Sequence, residues 1–170
     1  MKGDLHTLKR ICEYAAKVMF VGEFVLIALL IATLVLGIGS SFSDRMGDIL
    51  NTVTGLAAPH DLSTWAALLK VVVIIGLGAF TVWVVYGLMV SIRDEHSPFN
   101  GRNTDSIILL SKIYLVIAVV LLALSIAASD SIAMMAFLFF GCVLISVLLY
   151  CFALTVRYGA VLQDESDHTL

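Results

Sequence analysis

Three ionisable side chains, Glu23, Lys70 and Lys112, stand inside otherwise apolar runs of this sequence, and they are the first candidates for chemistry. A charged group in hydrocarbon costs a few kcal/mol, so it usually faces a partner, a water-filled cavity or the membrane surface. Glu23 and Lys112 lie at comparable depth in the first and third runs, which suits a hydrogen-bonded charge pair between them. Glu23 with Lys70 suits instead a small proton or ion pathway. The middles of the runs offer little more for such a pathway: Thr33, Thr81, Ser125 and Ser146, whose hydroxyls can bond a preceding backbone carbonyl. Lys70 and Lys112 are also near enough to run ends to snorkel towards water.

Other chemistries lack their residues. No span or loop brings together a base, a nucleophile and an electrophile, so no enzyme activity is expected. Cys12, Cys142 and Cys151 are odd in number and unrelated in spacing, and they read as small buried hydrophobes rather than a disulfide or metal set. No cofactor or metal is expected. A formal net charge of −3 with no cluster of Lys and Arg argues against direct nucleic-acid binding.

The elements that must position these side chains are four apolar runs, Val18 to Ile38, Val71 to Ile92, Ile107 to Ala128 and Ile132 to Val156. Each has the ~20 residues that a helix needs to cross a hydrocarbon core of about 30 Å. Hydrophobic residues make up 61% of the 170 and charged ones 14%, which leaves no room for a separate soluble domain. The expected fold is all-α and polytopic: a single domain over 1–170, with four transmembrane helices. The first run is too long for the apolar part of a cleaved signal peptide, so a retained signal-anchor is expected.

Orientation follows from the basic residues. Lys2, Lys9, Arg10 and Lys17 precede the first span, Arg93 and Arg102 separate the second from the third, and Arg157 closes the fourth, whereas the opposite loops hold only Arg45. Lys and Arg resist translocation, so both termini and the middle loop are expected in the cytoplasm, with the chain in the cell membrane. The first outer loop carries its own pattern. Met46, Ile49, Leu50 and Val53 recur at helical steps opposite Asp44, Asp48 and Asn51, predicting a short amphipathic helix over Ser43 to Val53. Ser43 or Asp44 is placed to cap it, Gly55 to end it and Pro59 to stop it. This helix is expected to lie on the outer leaflet or cover the mouth of the bundle, the alternative being a gate or ligand-binding lid.

Tyr86-Gly87 followed by Asp94-Glu95-His96 is echoed by Tyr158-Gly159 followed by Asp164-Glu165 and His168, as a duplicated two-span hairpin would leave. Gly76, Gly78, Ala123, Ala127 and Gly141 allow close helix packing. On the cytoplasmic side Pro98 stops the second helix, Asn100-Gly101 makes a turn, and Thr104 or Asp105 caps the third.

Ser97-Pro98-Phe99-Asn100 before the third span, and the ending Tyr158, Gly159, Leu162, Gln163, Glu165, Asp167, Thr169 and Leu170, carry a resemblance. The chain resembles a family of prokaryotic four-span membrane proteins of unknown function, with a Pro-Phe loop and a Tyr-Gly-x-x-Leu-Gln-x-Glu-x-Asp-x-Thr-Leu ending. His168 departs from the leucine usual there. The resemblance implies no catalytic activity, and it offers a small helix-turn-helix regulator as partner. Pro98, Phe99, Leu162, Gln163, Glu165, Asp167 and Thr169 are then the candidate docking residues. The expected function is a non-enzymatic membrane regulator that docks a soluble protein, the alternative being a small transporter or channel component. Lipid is the first partner, and a homo-oligomer stays open beside it.

Overall fold

The computed structural model describes residues 2–56, 59–93 and 101–168. Among these the chain forms five helices: α1 (Lys2–Ser40), α2 (Asp44–Thr54), α3 (Leu62–Arg93), α4 (Gly101–Ala127) and α5 (Ile132–His168). Four contain stretches long and apolar enough to cross a membrane, Arg10–Ser40, Leu62–Ser91, Asn103–Ala127 and Ile132–Gly159. The chain is thus an all-α polytopic membrane protein, as its apolar runs predict. In lipid every backbone polar group must be satisfied within the segment, which an uninterrupted helix achieves. Pro59 lies between α2 and α3, and none of the described helices contains a proline, so their ladders run unbroken.

The long helices form a row in the order α1, α3, α4, α5. Among the described residues α1 meets α3 and the short α2 but neither α4 nor α5, and α3 does not reach α5. Two antiparallel hairpins, α1 with α3 and α4 with α5, are therefore joined along a single α3–α4 seam. This two-hairpin plan is the arrangement that the echoed Tyr-Gly ends would require.

Small residues and regular spacing hold the seams. On α1 the stripe Cys12, Ala16, Thr33, Gly37 and Ser40 is buried, following the three- and four-residue steps of helices that pack nearly antiparallel. Leu68 of α3 occupies the space where Gly37 has no side chain: a Cβ there would lie 2.4 Å from a Leu68 methyl. Gly76 leaves room for Leu30 at 3.8 Å, while Gly78 faces open space. The main core joins Leu77 and Val84 of α3, Leu110, Tyr114, Ala118 and Leu121 of α4, and Cys142 of α5. Cys12 and Cys142 are buried as expected, but Cys151 is exposed.

The first inter-helix segment matches its pattern. Ser43, with φ −150°, stands at the N-cap position of α2, although its hydroxyl makes no capping bond. Gly55 closes the helix at φ 71°, its N–H bonding the Asn51 carbonyl at 2.8 Å, a backbone conformation that glycine adopts without strain. Leu50 is fully buried and Met46 lies against Gly39, while Ile49 and Phe42 remain exposed. α4 corrects one expectation. It begins at Gly101, so Thr104 and Asp105 lie inside the helix rather than capping it, and Asn103 donates from Nδ2 to Ser91 Oγ of α3 at 3.1 Å.

Candidate functional site

The turn between α4 and α5 builds the first constellation. Ala127 ends α4, and Ser129 adopts a left-handed conformation at φ 60°. The Ser129 N–H then bonds the Ile126 carbonyl at 3.1 Å and the Asp130 N–H bonds the Ser125 carbonyl at 3.0 Å. These two bonds satisfy the last carbonyls of α4 and reverse the chain in a tight turn. The reversal presents Asp130 to α3, where Lys70 donates to its carboxylate. Both side chains are largely buried, at 10% and 18% relative exposure. Burial alone would raise the Asp130 pKa, but the Lys70 hydrogen bond, the nearby Ser125 hydroxyl and the Lys70 charge together outweigh it and hold the carboxyl below its ordinary value. Lys70 is thus a structural cation rather than a snorkelling one. The sequence placed both residues near the same ends of their runs, which was the available signal for the pair.

The second constellation surrounds Glu23. It lies on the α3-facing stripe of α1, half-buried, with Oε2 removed from solvent and without a hydrogen-bond partner. The expected Glu23–Lys112 pair does not form within the chain. Lys112 is exposed on α4, and α3 stands between α4 and α1. The reason is the row: a closed four-helix bundle would bring the first and third spans together, whereas here the second span separates them.

The mid-span hydroxyls are mostly spent on backbone. Thr33 donates to the Leu29 carbonyl at 2.8 Å and Thr81 to the Leu77 carbonyl at 2.7 Å. Thr81 Oγ1 also lies 3.0 Å from the Tyr114 hydroxyl across the α3–α4 seam. Ser146 differs from its expectation, since it crosses between helices and donates to the Ser111 carbonyl of α4 at 2.7 Å.

No family model, no curated protein and no solved structure matches this chain.

The side carrying the termini holds the remaining candidates. A shallow groove of about 330 Å³ opens between α1 and α3, lined by Glu13, Ala16, Lys17, Phe20, Val21 and Tyr86. Lys17 donates to Glu13 one turn away at 2.8 Å, and the rings of Phe20 and Tyr86 stand 6.1 Å apart. Nothing in the sequence pattern marked this groove, because its walls come from two spans. Pro98, Phe99 and Thr169 lie outside the described residues. Leu162, Gln163, Glu165 and Asp167 fall on the last turns of α5, which continues unbroken beyond the apolar stretch ending at Gly159 to His168.

Proposed function

We propose that this is a non-enzymatic membrane protein of the cytoplasmic membrane, with both termini in the cytoplasm. Its cytoplasmic face docks a soluble protein of helix-turn-helix type. The observation that carries the reading is the course of α5. A helix of 37 residues extends about 55 Å, well past what a hydrocarbon core of about 30 Å requires. The excess carries the acidic segment Asp164, Glu165 and Asp167 together with Leu162 and Gln163. Acidic groups beside an apolar anchor suit a basic partner helix, because complementary charge speeds encounter while the anchor supplies burial. The excess of Lys and Arg on the side of the termini supports the cytoplasmic assignment. The alternative, a small transporter or channel component, would draw on Lys70, which is already engaged by Asp130.

Truncation after Gly159 tests the docking. The shortened protein should insert and fold as the full chain does but no longer retain its soluble partner, and Phe99→Ala should weaken retention. A truncated protein that holds the same partner equally well contradicts the proposal.

A further inference from the structure

The groove between α1 and α3 has an order along the membrane normal. Glu13 lies near the start of the apolar stretch that begins at Arg10, Lys17 follows one turn deeper, about 6 Å along the axis, and Phe20 and Val21 lie deeper still. Buried Ala16 forms a small floor between them. Tyr86, whose ring stands 6.1 Å from that of Phe20, supplies the opposing wall from α3. From the membrane surface inwards the groove therefore offers a carboxylate, then an ammonium, then an apolar channel. Both charges are held in place, since Lys17 Nζ stands 2.8 Å from Glu13 Oε1 and 5.8 Å from the centre of the Tyr14 ring.

We propose that this groove binds a zwitterionic phospholipid with a primary ammonium, a phosphatidylethanolamine, from the leaflet on the side of the termini. In such a lipid the phosphate is joined to the glycerol and the ammonium hangs from it two carbons further out. The order of Lys17 and Glu13 along α1 is complementary to that order: the phosphate meets Lys17 and the ammonium meets Glu13. An ammonium has three donors and a carboxylate about four acceptor positions, so the two side chains hold each other and a headgroup at once. One acyl chain then starts down the channel between Phe20, Val21 and Tyr86, and the rest of the lipid stays in the bilayer. Apolar walls alone would accept any lipid, and the ordered charges make the selection. A choline head has no N–H to donate to Glu13, and an anionic glycerol head brings no cation to it while gaining no net attraction from a neutral pair.

Native mass spectrometry of the full-length protein in detergent tests this, with phosphatidylethanolamine, phosphatidylcholine and phosphatidylglycerol of identical acyl chains titrated in turn. The wild type should bind phosphatidylethanolamine about threefold or more tighter than either of the others. The exchange Glu13→Lys with Lys17→Glu keeps the net charge and an ion pair one turn apart but reverses its order, so it should erase the preference. Glu13→Gln leaves the Lys17 charge unbalanced and should move the preference to phosphatidylglycerol. Equal binding of the three lipids by the wild type, tighter binding of phosphatidylglycerol or phosphatidylcholine, or an exchanged chain that keeps the wild-type preference, overturns the proposal. Should the exchanged chain fail to fold, an unaltered preference in Glu13→Gln overturns it equally.

Discussion

Lys70 of α3 donates to Asp130 in the turn between α4 and α5, so a buried ion pair ties the two hairpins together on the side opposite the termini. The Thr81–Tyr114 and Asn103–Ser91 contacts are further polar links across the α3–α4 seam. Lys70→Met or Asp130→Asn leaves the remaining partner buried and uncompensated, a loss of about 3–5 kcal/mol. Unfolding in detergent should show that loss for each single variant, with Lys70→Met/Asp130→Asn together recovering much of it. Additive losses would count against the pair.

The same pair predicts an acid limb. Asp130 has a lower pKa in the folded protein than its ordinary value of 3.8, so its contribution is fully present above that value. The contribution is lost as pH falls through the lower, folded value, because the folded state then takes up the proton it had resisted. The stability of the wild type should decline over that window relative to Asp130→Asn. Parallel pH profiles for the two proteins would contradict the assignment.

Gly37 tests the α1–α3 seam. An added methyl meets Leu68 at a distance that side chains do not tolerate, so Gly37→Ala must push Leu68 or the helices apart. Overpacking of this kind costs about 1–3 kcal/mol. Shortening the obstructing side chain with Leu68→Val in the same chain should return part of the loss. Equal instability of the single and double variants would place the seam elsewhere.

Ser146 tests the α4–α5 hairpin. Its hydroxyl is buried and donates across the hairpin to the Ser111 carbonyl. Interhelical hydrogen bonds in membranes average ~0.6 kcal/mol, and the carbonyl keeps its place in the α4 ladder, so Ser146→Ala should cost little more than that. Thr33→Val, which breaks only a bond within α1, should cost less still. The ranking can be read from thermal unfolding of the two variants.

Much of the fold was legible because lipid leaves a sequence few choices. Each span must be a long apolar helix, and the periodicity of Met46, Ile49 and Leu50 marked α2 in the same direct way. What stayed hidden was the lateral order of the spans. Glu23 and Lys112 were read as lying at one depth, but depth is set along the helix axis by counting residues, whereas neighbourhood is set by which apolar faces interlock. All four spans are apolar on every side, so pattern alone does not distinguish a row from a closed bundle. The pairing of Asp130 with Lys70 stayed hidden for the same reason. The Gly37–Leu68 contact likewise needed the register of α1 on α3 before either residue stood out.

Site-specific photo-crosslinking tests the proposed cytoplasmic docking at the terminal part of α5 most directly. A photoreactive amino acid replaces Glu165 in the full-length protein, and living cells are irradiated before lysis. The expected result is an adduct with a soluble cytoplasmic protein carrying a basic helix, and loss of that adduct when Asp164 and Asp167 are changed to lysine. Adducts only with lipid or with the protein's own chain, or with a protein from the other side of the membrane, would contradict it.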